Sequence, residues 1–72
     1  MFRIPVPSNE LRSVGYDPGA GILEIEFALG GIIQYLDVPE KVYVGLLNTK
    51  SFGQYFIRHI KYAYHIKSIQ LS

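Results

Sequence analysis

The side chains of this sequence that could bind an anionic partner are concentrated in its second half. Residues 1–40 contain two arginines and six acidic residues, whereas residues 41–72 contain five lysines and arginines and no acidic residue. A positively charged region of this kind attracts anions such as RNA. The same opposition of charge would also let the two halves attract each other, or let two copies associate head to tail.

A basic stripe with one tyrosine is the strongest sign of nucleic-acid binding in the chain. If residues 52–65 form one helix, the 100° rotation per residue places Arg58, Lys61 and His65 opposite the core, with Tyr62 beside them. Cations bind phosphates, and a tyrosine ring stacks on an unpaired base. The alternative is an ordinary solvated helix face, and so few charges predict weak, salt-sensitive binding.

A second candidate phosphate site lies at the start of the same helix. Lys50 precedes Ser51, where the helix offers free backbone N–H groups and the positive end of its dipole. The alternative is that Ser51 caps its own helix, with Gln54 completing a capping box. Lys67, further along the chain, adds one more cation. The predicted nucleic-acid-binding residues are therefore Lys50, Ser51, Arg58, Lys61, Tyr62, His65 and Lys67.

Catalytic and metal-binding chemistry finds no support in the sequence. It contains no cysteine, and its serines lie beside no histidine in a spacing used for nucleophilic catalysis. His59 and His65 are six residues apart, so a helix would point them about 120° from each other, away from a shared metal. Glu24 and Glu26 alternate with apolar residues, which predicts a solvent-facing strand. We therefore expect no enzyme activity, no metal and no cofactor.

The first half of the chain predicts an antiparallel sheet. Loose alternation over residues 10–16, strict alternation over 23–27 and a β-rich run over 32–36 indicate three strands joined by glycine-containing turns. The residues expected to face the core from the second strand are Leu23, Ile25 and Phe27.

The second half predicts two helices. Asp37 and Glu40 resemble a capping box at the start of a short helix, in which Gly45 would permit another element to approach closely. A longer helix runs from about Phe52 to His65.

This order of elements predicts the fold class. Strands followed by helices are typical of an α+β fold, here a three-stranded antiparallel meander with both helices packed on one face, a βββαα two-layer sandwich. We expect one domain over residues 1–72, with an ordered core of about 8–66 and a loosely held N-terminal arm and C-terminal tail.

Motifs spread along the chain resemble those of a known family. In order they are Val14-Gly15-Tyr16-Asp17, Leu23-Glu24-Ile25-Glu26-Phe27, Val38-Pro39, Val42-Tyr43, Leu46, Ser51-Phe52-Gly53-Gln54-Tyr55-Phe56 and Ile60. This set, over roughly residues 8–64, resembles the KTSC domain, a short module found at the C-terminus of some lysyl-tRNA synthetases and as free-standing bacterial or phage proteins. The resemblance implies an RNA-binding module. The family's central Tyr-x-Tyr reads Ile33-Gln34-Tyr35 here, which favours core filling over base stacking for this strand.

Two functions are compatible with these observations. The leading hypothesis is a weak RNA-binding accessory module, with tRNA as the candidate ligand, phosphates bound by Lys50, Arg58, Lys61 and Lys67, and Tyr62 as a stacking face. The alternative is a module for protein–protein interaction or self-assembly, in which the partner is another protein or a second copy. The chain lacks a signal-peptide pattern and the run of about 18 apolar residues that a membrane span needs, so we expect a cytoplasmic protein without a membrane partner or a small-molecule substrate.

Overall fold

The chain forms a five-stranded antiparallel sheet and two helices, and the computed structural model describes residues 1–71. The strands lie side by side in the order in which they occur in the sequence, and every neighbouring pair is antiparallel. The bounds of the elements are β1 Ile4–Pro5, β2 Leu11–Asp17, β3 Ile22–Phe27, β4 Ile32–Tyr35, α1 Glu40–Asn48, α2 Phe52–His59 and β5 Ile66–Gln70.

The predicted α+β class agrees with this architecture, but the βββαα topology with a three-stranded meander is wrong. The structure adds an edge strand on each side of the meander, β1 beside β2 and β5 beside β4. β1 has only two residues, one of them Pro5. All five residues of β5 are exposed, so β5 lacks the alternation of buried and exposed residues by which a half-buried strand is recognised. Of the tail expected to be loosely held, residues 68–70 belong to β5, and Ser72 lies outside the described residues.

The second helix ends at His59 and not near residue 65. Ile60 leaves helical geometry with φ −123° and ψ −48°, and the backbone N–H groups of Ile60 and Lys61 both donate to the carbonyl oxygen of Phe56. The side chain of Ile60 is wholly buried. Burying this residue turns the chain out of the helix, so residues 61–65 form a turn that leads into β5.

The core lies between the helices and one face of the sheet. The inward orientation predicted for Leu23 and Ile25 is confirmed, because both are fully buried, and Phe27 packs at the edge of the same cluster. The buried apolar residues are Leu11, Val14, Leu23, Ile25, Tyr35, Val38, Leu46, Phe56 and Ile60.

The two helices approach each other closely at Gly45, as its place inside α1 predicted. A methyl group at this position would lie 2.9 Å from Cζ of Tyr55, the tyrosine of α2. The Tyr55 hydroxyl donates a hydrogen bond to the carbonyl oxygen of Val42 at 3.0 Å. The missing side chain of Gly45 therefore makes room for a tyrosine that ties α2 to the backbone of α1.

Neither predicted capping box forms. α1 has Pro39 as its N-cap, and Asp37 instead adopts a positive φ of 55° in the preceding turn. Ser51 is the N-cap of α2, but its side chain makes no capping hydrogen bond. The spacing of these residues fits a box, yet no side-chain capping hydrogen bond forms at the start of either helix.

A polar network covers the sheet face opposite the helices, and it corrects the expectation that Glu24 faces solvent. Glu24 is buried because the side chain of Arg3 lies against it, with Nη1 of Arg3 2.5 Å from Oε2 of Glu24. Gln34 donates a second hydrogen bond to Glu24 at 2.6 Å. Nε of Arg3 donates to Ser13, and Ser13 donates to Glu26 at 2.8 Å.

This network makes the stability of the domain depend on pH. Burial alone would raise the pKa of Glu24, but the hydrogen bonds from Gln34 and Arg3 and the charge of Arg3 outweigh it, so the pKa is lowered. Since the folded state holds the proton less tightly than the unfolded state, the stabilisation is complete above the unfolded pKa, about 4.3. It is lost as the pH falls through the lower folded value.

We therefore expect Glu24→Gln to reduce the free energy of unfolding at pH 7 by about 1–3 kcal/mol, because Arg3 then lacks a charged partner. The variant should also lose part of the acid sensitivity of the wild type. Urea unfolding at pH 7 and pH 3 measures both effects. The exposed Glu40 supplies the control, Glu40→Gln. An acid sensitivity identical in wild type and Glu24→Gln would contradict this account of the pair.

Candidate nucleic-acid interface

An open apolar pocket of about 510 Å³ lies where the end of α2 meets β3, β4 and β5. We call it the aromatic pocket. Its surface is almost entirely carbon, although one lysine stands among its lining residues. These are Phe27, Ile33, Tyr35, Phe56, Lys61, Tyr62 and Ile66.

Three aromatic rings make the inner wall of the aromatic pocket. Phe56 contacts Phe27 edge to face, with 5.3 Å between ring centroids, and contacts Tyr35 in the same way at 6.0 Å. Such contacts hold rings more firmly than burial alone. Tyr35 is only 2% exposed, and burial raises its pKa, so its hydroxyl keeps its proton at neutral pH.

The hydroxyl of Tyr35 has no hydrogen-bond partner among residues 1–71, in contrast to that of Tyr16, which donates to Val38, and that of Tyr55. In the same part of the chain no fully buried side-chain nitrogen or oxygen atom lacks a partner. The Tyr35 hydroxyl must therefore reach solvent, and the aromatic pocket is the open space that this residue lines.

Lys61 and Tyr62 form the rim of the aromatic pocket. Nζ of Lys61 lies 5.2 Å from the centroid of the Tyr62 ring, within the range of a cation–π contact. The Tyr62 side chain is 85% exposed, an unusual position for a large aromatic ring. Both residues belong to the turn after α2, so the buried Ile60 that ends the helix also places them beside the pocket.

The other predicted cations of this region flank the pocket in the chain. Arg58 lies in the last turn of α2, and His65 and Lys67 lie on either side of the pocket residue Ile66. All three are exposed. The interpretation of Arg58, Lys61 and His65 as one face of a long helix is wrong, because the helix ends before Lys61. Arg58 is on the helix, Lys61 and His65 lie in the segment between α2 and β5, and Lys67 is the extra residue where the pairing of β4 and β5 shifts.

Lys50 and Ser51 are not brought to this pocket. They precede α2, whereas Lys61 follows it, and eight helical residues separate two points by about 12 Å. A methyl group at Gly53 would lie 2.8 Å from Cδ of Glu10, so a carboxyl group already lies against the first turn of α2. A carboxylate there satisfies the helix dipole and repels a phosphate.

Sequence reasoning missed most of the pocket lining. Tyr35 is buried, as the core-filling interpretation of Ile33-Gln34-Tyr35 expects, but the pocket beside it was not foreseen. Its wall comes from three strands and a helix end, and one of those strands was not predicted. The segment that forms β5 contains Ile66 and Ile69, but these two residues are not spaced with the period of two that indicates a strand, so the sequence carries no clear local signal for it.

Residues 1–71 contain no group of three or more histidine, aspartate or glutamate side chains placed to hold a metal ion. Within the same residues, no helix is long and apolar enough to cross a membrane.

Comparison with known proteins agrees with the motifs noted in the sequence. The family model of the KTSC domain matches residues 7–64. An uncharacterized protein of Stutzerimonas stutzeri strain A1501 is 45% identical over 56 residues, which cover 78% of this chain and 79% of that protein. The crystal structure of a KTSC domain protein from Yersinia pestis superposes with a TM-score of 0.87 at 35% identity, covering 99% of this chain and 96% of the other. The chain therefore belongs to the KTSC domain family.

Proposed function

We propose that this domain is a non-catalytic module that binds single-stranded RNA at the rim of the aromatic pocket. The observation that carries the proposal is the exposed ring of Tyr62, with the ammonium group of Lys61 beside it and an apolar pocket behind it. Single-stranded RNA presents unstacked bases between phosphates, and proteins bind it by combining aromatic platforms with cations.

The charges around the pocket support an anionic ligand. In the described part of the chain the one ion pair joins Arg3 and Glu24, on the sheet face opposite the helices. Arg58, Lys61 and Lys67 are exposed, are in no such pair, and lie in a half of the chain without acidic residues. Cations that are not neutralised by carboxylates are available to phosphates.

The proposed surface is smaller than the one predicted from the sequence. It contains Arg58, Lys61, Tyr62, His65 and Lys67, and it leaves out Lys50 and Ser51, which lie at the far end of α2 near Glu10. Three lysines and arginines bind few phosphates, so the affinity is weak and falls with salt. tRNA, which has unpaired loops and an unpaired 3′ end, is the first RNA to test.

The double substitution Arg58→Glu/Lys61→Glu should weaken binding of a tRNA pool by at least about tenfold at low salt, because two attractions to phosphate become repulsions. The slope of log affinity against log salt should fall by about 1.4, at roughly 0.7 for each single-strand phosphate that the protein no longer neutralises. Fluorescence anisotropy with labelled tRNA at several salt concentrations measures both quantities.

The matched control is Lys41→Glu/Lys50→Glu. It changes the net charge by the same amount at two exposed lysines that are not part of the proposed surface. We expect it to change affinity by less than about threefold, through the overall field alone. Equal reductions of affinity in the two double variants would mean that only net charge matters. An unchanged affinity in Arg58→Glu/Lys61→Glu would refute the proposal.

The rival function is self-association or protein binding through the free edge of β5. This strand is exposed along its whole length, including its own Ile69, and Leu71 directly after it is exposed as well. However, a register shift and Lys67 interrupt the edge, and natural sheets use such features to prevent edge-to-edge pairing. The geometry therefore favours RNA. Sedimentation velocity at high protein concentration would detect a dimer. A dimer together with no RNA binding would favour self-association as the function.

A further inference from the structure

The aromatic pocket has the properties of a site for one flat ring with a polar edge. We infer that it accepts a single unstacked base of the bound RNA, which inserts behind Tyr62 and receives a hydrogen bond from the hydroxyl of Tyr35. This inference rests on the proposed function and specifies how the same site would recognise its ligand.

The hydroxyl of Tyr35 reaches solvent but has no hydrogen-bond partner within the described residues. The residue is 2% exposed, and its hydroxyl has no partner among residues 1–71, although buried polar groups are normally hydrogen-bonded. Tyr35 lines the pocket, so we take the pocket as the side from which a ligand reaches this hydroxyl. An aliphatic ligand would leave this donor unpaired, whereas every nucleobase carries acceptor atoms on its edge.

The wall of the pocket is composed mainly of apolar side chains. Phe56 and Phe27 meet edge to face, and Ile33 and Ile66 add branched aliphatic surface from β4 and β5. Apolar walls with a few polar groups that fix orientation are typical of sites for small organic ligands, and a nucleobase has both the apolar faces and the polar edge that such a wall accommodates. A sugar or a bare phosphate would bury hydroxyl or charged oxygen atoms against this carbon surface without compensation.

The position of the charge also favours a base. Lys61 lines the rim, next to Tyr62, so its ammonium group lies outside the apolar interior. A base inserted into the pocket leaves its phosphate at the mouth, where Lys61 can bind it. Tyr62, which is exposed in the free protein, can then cover the inserted base or stack on its neighbour.

The test compares hexauridylate with a hexamer of the same ribose-phosphate backbone that lacks all bases. Wild-type protein should bind hexauridylate at least about tenfold more tightly, because only this probe offers a base to stack. Tyr35→Phe, which keeps the ring, should weaken hexauridylate binding by about three- to tenfold, because one hydrogen bond to the base is removed. The hydroxyl of Tyr35 would bond the base and not the phosphate. The affinity for the abasic hexamer should therefore be the same in Tyr35→Phe and in the wild type.

Two further variants distinguish a loss of binding at the pocket from a loss of folding. Tyr62→Ala removes a side chain that is too exposed to affect folding, and it should weaken binding of hexauridylate only, whereas Tyr62→Phe should retain it. Tyr43→Phe, at a tyrosine that stacks on Tyr16 away from the pocket, is the matched control and should bind like the wild type.

Each alternative result has a distinct meaning. If both probes bind equally well and Tyr35→Phe has no effect, base insertion is wrong while RNA binding through phosphates stands. If Tyr62→Ala weakens binding and Tyr35→Phe does not, the base stacks on the surface and does not enter the pocket. If neither probe binds at low salt, both the insertion and the proposed function are wrong.

Discussion

A chain that ends at His65, without β5, should lose most of its stability. β5 pairs with β4 from Ile32↔Gln70 to Tyr35↔Ile66, and its removal breaks this ladder and exposes the edge of Ile33 and Tyr35. About four net hydrogen bonds at roughly 0.5–1.5 kcal/mol each amount to about 2–6 kcal/mol. A domain of this length has on the order of 4–11 kcal/mol in total, so we expect partial or complete unfolding at 37 °C.

Thermal unfolding followed by circular dichroism measures this decrease in stability. The control chain ends at Gln70, keeps the whole of β5, and should have the melting temperature of the full chain within a few degrees. If the chain that ends at His65 melts at the same temperature as the control, β5 contributes nothing to the fold. The experiment also decides between the structure and the expectation from sequence that residues 68–72 are loosely held.

The parts of the fold that were predictable from the sequence are those that bury one face. β3 alternates Leu23 and Ile25 with Glu24, and two of these three residues point into the core, as periodicity predicts. The edge strands bury too little side-chain surface to show an alternation of apolar and polar residues. Their existence follows from pairing with β2 and β4, which is a property of the assembled sheet and of no local segment.

The burial of Glu24 could also not be predicted from its own segment of the sequence. Glu24 lies on the sheet face away from the helices, as the alternation of its strand predicts. It is nevertheless buried, because the side chain of Arg3, from a distant part of the sequence, covers it. Gly15 makes this path possible, since a methyl group there would collide with the backbone carbonyl oxygen of Phe2, the residue before Arg3. Alternation identifies the face of a strand, but it cannot show what covers that face.

The residue types of the candidate site were singled out from the sequence, but the helical arrangement predicted for them is wrong. The sequence singled out Arg58, Lys61 and Tyr62 by charge and aromaticity, and the structure places Lys61 and Tyr62 at one pocket. The helical wheel behind that prediction assumed that α2 continues past Ile60. Its periodicity does continue, but Ile60 leaves helical geometry and is buried, and residues 61–65 after it form a turn that leads into β5.

Ile60→Ala should therefore damage both the fold and the site. Removing a fully buried isoleucine costs about 2–5 kcal/mol, a large fraction of the total. Alanine is also the best helix former, so the substitution favours extension of α2 into residues 61–63. Such an extension would carry Lys61 and Tyr62 away from the aromatic pocket.

Urea unfolding should show the decrease in stability, and the amide shifts of Lys61 and Tyr62 should move toward helical values in the folded fraction. Ile57→Ala is the matched control, because Ile57 lies on the same helix and is 58% exposed. We expect the control to change the free energy of unfolding by no more than about 0.5 kcal/mol. If the two variants are equally stable, Ile60 does not determine where α2 ends. If Ile60→Ala is destabilised but binds RNA with full affinity, the rim of the pocket is not the binding surface.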